Sequence, residues 1–302
     1  MGDGPVLVVG GTGMLGGQVV AALLERGKQV RALVRPQSDA TALEAAGVEI
    51  ARGDLMDPES LRDALSGVDA VVTSAAGYTR HSKGDTDDID TIGNQNLVDA
   101  ASAVGVRRFV LTSILTCDQT PQVPHFWHKK LVEDRLAQKG VPFVALRPGA
   151  FLDQITQMGG DPFAKRRLMW FGSPKTAITF VLVSDLAGYL ADAVDAPGID
   201  GERIDIGWDR PVSVRDIAQI AGDQLGERIR VRTIPGGLIT AVGAVIGPVV
   251  PMAKDIAAML RWFATGKYVA DTSRQGEVFG QAPTAEDAIA RFARSLGHSV
   301  DA

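Results

Sequence analysis

A single cysteine, Cys117, stands in a chain of 302 residues. That scarcity excludes an internal disulfide and any multi-cysteine zinc site, and it points to a reducing, cytoplasmic setting. The four histidines, His81, His125, His128 and His298, have no spacing with nearby acids that reads as a metal centre. A basic excess is missing as well: the net charge is −5, which argues against a nucleic-acid binder. Residues 1–5 offer neither the basic nor the apolar region of a signal peptide, and Val6 stands where a myristoylation motif needs Ser or Thr. Uncharged runs of membrane-spanning length are limited to 234–253, which Pro235, Pro248, Pro251 and four glycines break into a short helix and turns. This segment reads as a pocket or interface wall, with a surface-associated membrane segment as the competing reading. Internal repeats and low-complexity segments are absent.

What the chain does have is concentrated near its start. In Val6-Leu7-Val8-Val9-Gly10-Gly11-Thr12-Gly13-Met14-Leu15-Gly16, an apolar run of buried-strand type leads straight into glycines. A helix is expected over 18–26, with Val19, Val20, Leu23 and Leu24 at helical spacing and Gly27 ending it. Strand, glycine turn and helix form a dinucleotide cradle: glycines allow the turn, the approach of a pyrophosphate and close helix–strand packing. Both Gly11-x-Gly13-x-x-Gly16 and Gly10-x-x-Gly13-x-x-Gly16 satisfy the pattern, so Gly10 to Gly16 are all candidate cofactor ligands.

Strand and helix signals then alternate. Strands are expected over 29–34, 48–51, 70–73, 108–112 and 141–146, and helices over 40–46, 87–104 and 124–138. Asp57-Pro58 reads as an N-cap followed by proline at the first helical position. This repetition gives an α/β fold with a doubly wound parallel sheet and ligands at the carboxyl ends of its strands. Arg35 stands at the end of the second strand, where an NAD site would carry an acid, so the expected cofactor is NADP(H).

The Gly-Gly-Thr-Gly-Met-Leu-Gly cradle, Val-Arg-Ala-Leu-Val-Arg, Gly53-Asp54-Leu55, Leu146-Arg147-Pro148-Gly149-Ala150-Phe151 and Val183-Ser184-Asp185-Leu186-Ala187 together resemble the atypical short-chain dehydrogenase/reductases, specifically their NmrA-like, NAD(P)H-binding group. The resemblance implies a Rossmann-type domain over 1–150, continued by part of 178–206, and a smaller substrate lobe from 151–177 and 207–302. It also implies that Asp54 and Leu55 meet the adenine and that Ala75 and Ala76 pass near the ribose and nicotinamide. Pro148, Gly149 and Phe151 would line the nicotinamide end.

Short-chain reductases use a serine and a Tyr-x-x-x-Lys pair on one helix. Here the corresponding stretch is His125-Phe126-Trp127-His128-Lys129-Lys130, without a tyrosine. By the resemblance Lys129 is the family lysine, His125 takes the tyrosine position and Ser113 is the family serine; these three are the catalytic candidates. Tyr78, beyond the fourth strand, is the candidate for a substrate hydroxyl contact. Apolar residues of the second lobe, Met158, Phe163, Met169, Trp170 and Phe171 among them, suit an apolar substrate, a core or a dimer face equally. The expected function is hydride transfer between NADP(H) and a small apolar carbonyl, quinone or enone. The rival is a non-catalytic regulator that senses the dinucleotide and binds a protein partner.

Overall fold

The computed structural model describes residues 4–77, 86–237 and 251–300. The chain divides into two compact units, Met1–Arg147 with Val183–Ile204, and Pro148–Leu182 with Asp205–Ala302.

The first unit is built on β1 (Val6–Val9), β2 (Val30–Val34), β3 (Glu49–Arg52), β4 (Ala70–Thr73), β5 (Arg108–Thr112), β6 (Phe143–Pro148) and β10 (Glu202–Ile206). They form one sheet in the order β10-β6-β5-β4-β1-β2-β3, with every pair from β3 to β6 parallel. Helices lie against both faces, so strands such as β1 are buried throughout and carry no polar alternation. Leu7, Val9, Val71, Phe109, Leu111, Phe143 and Ala145 alternate along their strands and share one core with Leu61, Leu97, Val132 and Leu136. Those last residues belong to α3 (Pro58–Ala64), α4 (Asn94–Val104) and α5 (Pro124–Lys139). On the other face α1 (Met14–Glu25) packs against α7 (Val183–Asp192), and Arg26 bonds Asp192 at 2.7 Å.

Chain direction across the sheet reverses at β1, which has β2 on one side and β4 on the other. The crevice at the carboxyl ends of β1 and β4 is therefore where this fold receives a ligand. Three elements differ from expectation by more than one residue at their starts or in type. The first helix begins at Met14, because Gly16 and Gly17 sit inside its first turns. The expected helix over 87–104 is instead a π-helical segment, Thr86–Gly93, followed by α4. The strand expected over 141–146 runs from Phe143 to Pro148, since Val141 closes the end of α5 by bonding Leu136 O. Asp57 does cap α3, its carboxylate accepting from Glu59 N at 3.0 Å.

The second unit contains two small parallel ladders. In one, β8 (Arg167–Phe171) pairs with β11 (Arg230–Ile234); in the other, β7 (Ala150–Phe151) pairs with β9 (Phe180–Val181). Helix α8 (Val214–Leu225) starts in a complete capping box of Ser213 and Asp216. It packs against the terminal helix Ala285–Ser295, whose Ala288, Ile289 and Phe292 are buried. Among the described residues no helix is long and apolar enough to cross a membrane. Most of the uncharged run, 238–250, lies outside the described residues.

Candidate active site

The cradle distinguishes between its glycines. Gly10 has φ +90°, and a Cβ there would lie 2.8 Å from Ser74 Oγ. At Gly16 a Cβ would come within 2.0 Å of Gly10 O, so only glycine lets α1 begin this close to β1. A Cβ at Gly13 would be 3.3 Å from the same carbonyl, whereas one at Gly11 would find ordinary contact distances of 3.6 Å and more. The backbone thus follows the Gly10-x-x-Gly13-x-x-Gly16 spacing. Thr12, Gly13 and Met14 are exposed, and Leu15 is half-buried. Gly13 caps α1 without a side chain, and the first turn holds no acid. The amides and positive dipole end of α1 face the crevice unopposed, as an anion site requires.

At the carboxyl end of β2, Arg35 is half-buried, and among the described residues its guanidinium has no carboxylate partner. Asp39, the nearest acid in sequence, is engaged in the loop: Thr41 Oγ1 donates to it at 2.6 Å and Thr41 N at 2.9 Å. These bonds hold its carboxyl below the usual range. A second guanidinium not foreseen from the sequence, Arg52, lies across the ladder from Val34 and donates to the carbonyls of Arg35 and Ser38 at 3.2 and 2.8 Å. Arg52 fixes the loop that carries Arg35. Just beyond β3, Leu55 is buried and Asp54 accepts from Met56 N at 2.9 Å, a local turn that presents this corner at the strand ends.

Lys129 reaches the crevice from α5. His125, Lys129, Val132 and Leu136 form a buried stripe on that helix, and Nζ of Lys129 donates to Ala75 O at 3.0 Å. Ala75 is half-buried and Ala76 exposed, so the chain leaving β4 lines the site. Nζ also lies 3.2 Å from Asp90 Oδ1, an ion pair without hydrogen-bond alignment, while Asp90 Oδ2 accepts from Gly77 N at 3.2 Å. Asp90 is 1% exposed and comes from the π-helical segment. A buried acid beside a buried lysine keeps both charges compensated. Asn94 completes the arrangement, donating to Ile89 O at 2.7 Å and Ala75 O at 3.4 Å and accepting from Thr73 at 3.1 Å. Asp90 and Asn94 are site residues that the sequence reading missed, although their spacing with Leu97 and Ala101 at 90, 94, 97 and 101 puts them on the buried face of a helix. His125 is buried at the start of α5, edge-on to Phe126 with ring centroids 4.6 Å apart. His128 meets Thr91 Oγ1 at 2.5 Å.

Ser113 departs from its expected role. It is buried after β5, and its hydroxyl donates to Glu133 Oε1 at 2.6 Å instead of facing a ligand. Glu133, wholly buried on α5, also accepts from Arg147 Nε at 2.9 Å, Arg147 Nη2 at 2.7 Å and Arg203 Nε at 2.9 Å. Burial works against the Arg147 charge, but the Glu133 bonds outweigh it and raise its pKa. Cys117 lies 3.5 Å from Glu133 Oε1, and desolvation, reinforced by that carboxylate, pushes its thiol up to about 12. The cluster therefore fastens α5, and with it Lys129, to β5 and β6; Ser113 belongs to this support.

In the second unit, Gly149 is obligatory where β7 starts: a Cβ would lie 2.5 Å from Thr179 O. Phe151 is half-buried at the end of β7, and Pro148 O accepts from Tyr268 at 3.3 Å. An apolar cavity of about 240 Å³ is walled by Trp170, Phe171, Ile178, Leu260 and Phe263. Arg166 is exposed and pairs with Glu227 at 2.6 Å. Tyr78 lies outside the described residues.

The chain is 29% identical over 230 residues to the photosystem II assembly factor Ycf39 of Synechocystis, covering 76% of this chain and 70% of that protein. It is 31% identical over 242 residues to the 2-alkyl-3-oxoalkanoate reductase of Stenotrophomonas maltophilia, covering 70% and 73%. Among solved structures, the NADPH complex of the quinone oxidoreductase QOR2 of Escherichia coli superimposes with a TM-score of 0.77 at 21% identity, covering 95% of this chain and 99% of that one. The triphenylmethane reductase of Citrobacter, complexed with NADP(H), gives 0.76 at 20% identity with the same coverage. The model of the NmrA-like family matches residues 3–285, and with the glycine cradle, the reversed sheet order and the lysine on α5 in place, the chain belongs to the NmrA-like family.

Proposed function

We propose that this chain is an NADP(H)-dependent oxidoreductase that moves hydride between the nicotinamide and a small apolar carbonyl, quinone or enone. The observation that carries the reading is Lys129, held by Ala75 O and Asp90 at the open carboxyl edge of the sheet beside a glycine cradle that tolerates no Cβ at Gly10 or Gly16. The residues fit the cofactor. Uncapped amides of α1 would hold the pyrophosphate, Arg35 the 2′-phosphate, and Asp54 and Leu55 the adenine end. Bound NADP(H) supplies the hydride chemistry.

The chain's own residues orient and protonate. One N–H of Lys129 donates to Ala75 O and its ammonium is ion-paired with Asp90, which leaves N–H groups for the ribose or for a substrate oxygen. Its ammonium gives a proton to the substrate oxygen in reduction and becomes the neutral amine, and in reverse that amine takes the proton back, a role that needs no tyrosine. Glu133, bonded to Arg147, holds the helix on which Lys129 rides. The likeness to a quinone and a dye reductase supports an apolar substrate.

The test is NADPH oxidation by purified protein against a panel of quinones, enones and aldehydes. Turnover that Lys129→Ala abolishes while the fold persists is the expected result; turnover undiminished in that variant overturns the role of the lysine. A second reading, the dinucleotide-sensing regulator, draws on the missing tyrosine in α5 and on the assembly factor among the relatives. Tight NADPH binding without turnover across the panel would transfer the function to it.

A further inference from the structure

The second unit carries a charged groove that neither cofactor nor hydride chemistry uses. Its volume is about 1000 Å³, and its walls are α8, the turn after it, and β11. Four exposed arginines converge there: Arg215 from the first turn of α8, Arg228 from the turn, and Arg230 and Arg232 from β11. Among the described residues none of the four has a carboxylate partner. Asp223 and Glu227 also line the groove, but Glu227 is engaged by Arg166 at 2.6 Å. An uncompensated arginine cluster in a chain of net charge −5 is a local reversal of the molecule's field, of the kind that selects a negative partner.

The backbone adds a second, independent feature. β11 and β8 make a two-stranded sheet. Arg230 N donates to Arg166 O, and Ile234 O accepts from Gly172 N, so residues 230, 232 and 234 face β8. In a parallel pair the alternate residues, Val231 and Thr233, turn their N–H and C=O outward. Among the described residues nothing bonds those groups, and both residues line the groove. The open edge and the arginines thus lie side by side.

We infer that the groove binds an extended acidic peptide segment of a partner protein, which adds as a strand beside β11. Main-chain bonds to Val231 and Thr233 would align it, as in other edge-strand recognition. Arg230 and Arg232 project from the same side of their strand about 7 Å apart, which matches acidic side chains at alternate positions of the added strand. The same arginines repel a second copy of β11, so the edge stays closed to self-pairing and open to an acidic partner. This inference stands whether or not the cofactor site turns over substrate.

The experiment is fluorescence anisotropy of the full chain with a labelled peptide carrying Asp or Glu at alternate positions between Thr and Val. The controls are a lysine counterpart, a backbone N-methylated version and a single-stranded oligonucleotide. The acidic peptide should bind, the lysine counterpart should not, and the N-methylated version should be weakened because it cannot pair along an edge. Arg230→Glu with Arg232→Glu should weaken binding by more than about tenfold, with NADPH titration unchanged. Thr233→Pro keeps all four arginines and the β8 ladder but removes one outward N–H, and should also weaken binding. Equal binding of acidic and lysine peptides would overturn the inference, as would an N-methylated peptide that binds undiminished. An oligonucleotide that binds as tightly with the same arginine dependence would instead make the groove a general polyanion surface and overturn the peptide assignment.

Discussion

Arg35 occupies a position where a single side chain decides between two cofactors. Its guanidinium is unpaired among the described residues, and Arg52 anchors its loop through main-chain carbonyls. Arg35→Ala should therefore weaken NADPH by about tenfold or more and leave NADH unchanged, as loss of one charge-assisted phosphate contact predicts; calorimetric titration of both reads the difference. Glu133 is decisive in another way. Removing its charge by Glu133→Gln leaves Arg147 and Arg203 without their shared carboxylate, and should lower stability by about 3–5 kcal/mol in denaturant unfolding. Cys117 gives a pH signature. Its folded pKa, about 12, lies above the ordinary thiol value of 9.0 because burial disfavours the thiolate. The unfolded chain then loses this proton first, so the thiol's contribution to stability is intact below pH 9.0 and is lost as pH rises towards 12. Thiol alkylation of the native protein should accordingly be negligible at neutral pH and complete after unfolding.

Among the elements, those defined by local chemistry were legible in the sequence and those defined by distant partners were not. β1, the glycine turn and the Asp57-Pro58 start of α3 announce themselves through adjacent residues, and the structure has them. Lys129 was legible through the family resemblance, and its spacing with His125, Val132 and Leu136 places it on the buried side of α5. Glu133, one turn further on, lay on the same buried side, and a buried acid demands cations; that signal would have withdrawn Ser113 from catalysis. Asp90 carried the same kind of signal, since 90, 94, 97 and 101 lie on one helical face with Leu97 and Ala101 buried, but its partner Lys129 is on another helix and no local pattern names it. The pairing of β8 with β11 joins segments some sixty residues apart, and no local pattern encodes such a register. Two element-scale predictions follow from geometry. Gly16→Ala would place a methyl 2.0 Å from Gly10 O, so it should abolish dinucleotide binding and lower the melting temperature, which thermal unfolding with and without NADPH would read. Ser213→Ala removes the hydroxyl that accepts from Asp216 N at 3.2 Å, and should cost about 1 kcal/mol in chemical denaturation without touching cofactor affinity.

For the molecule as a whole, chemistry is divided between two compact units. The first places a glycine cradle, Arg35 and Lys129 along the carboxyl edge of one parallel sheet. The second contributes an apolar cavity and an arginine-lined groove. Stability of the first unit is coupled to its ligand, because a cofactor that binds only the folded chain stabilises it by mass action. Everything proposed about turnover presupposes that this edge takes the phosphorylated dinucleotide. The measurement that tests this most directly is calorimetric titration of the purified chain with NADPH and with NADH under identical salt. The account predicts saturable binding of one NADPH per chain, tighter than NADH by about tenfold or more. Absence of binding to either dinucleotide, or equal affinity for both, would contradict it.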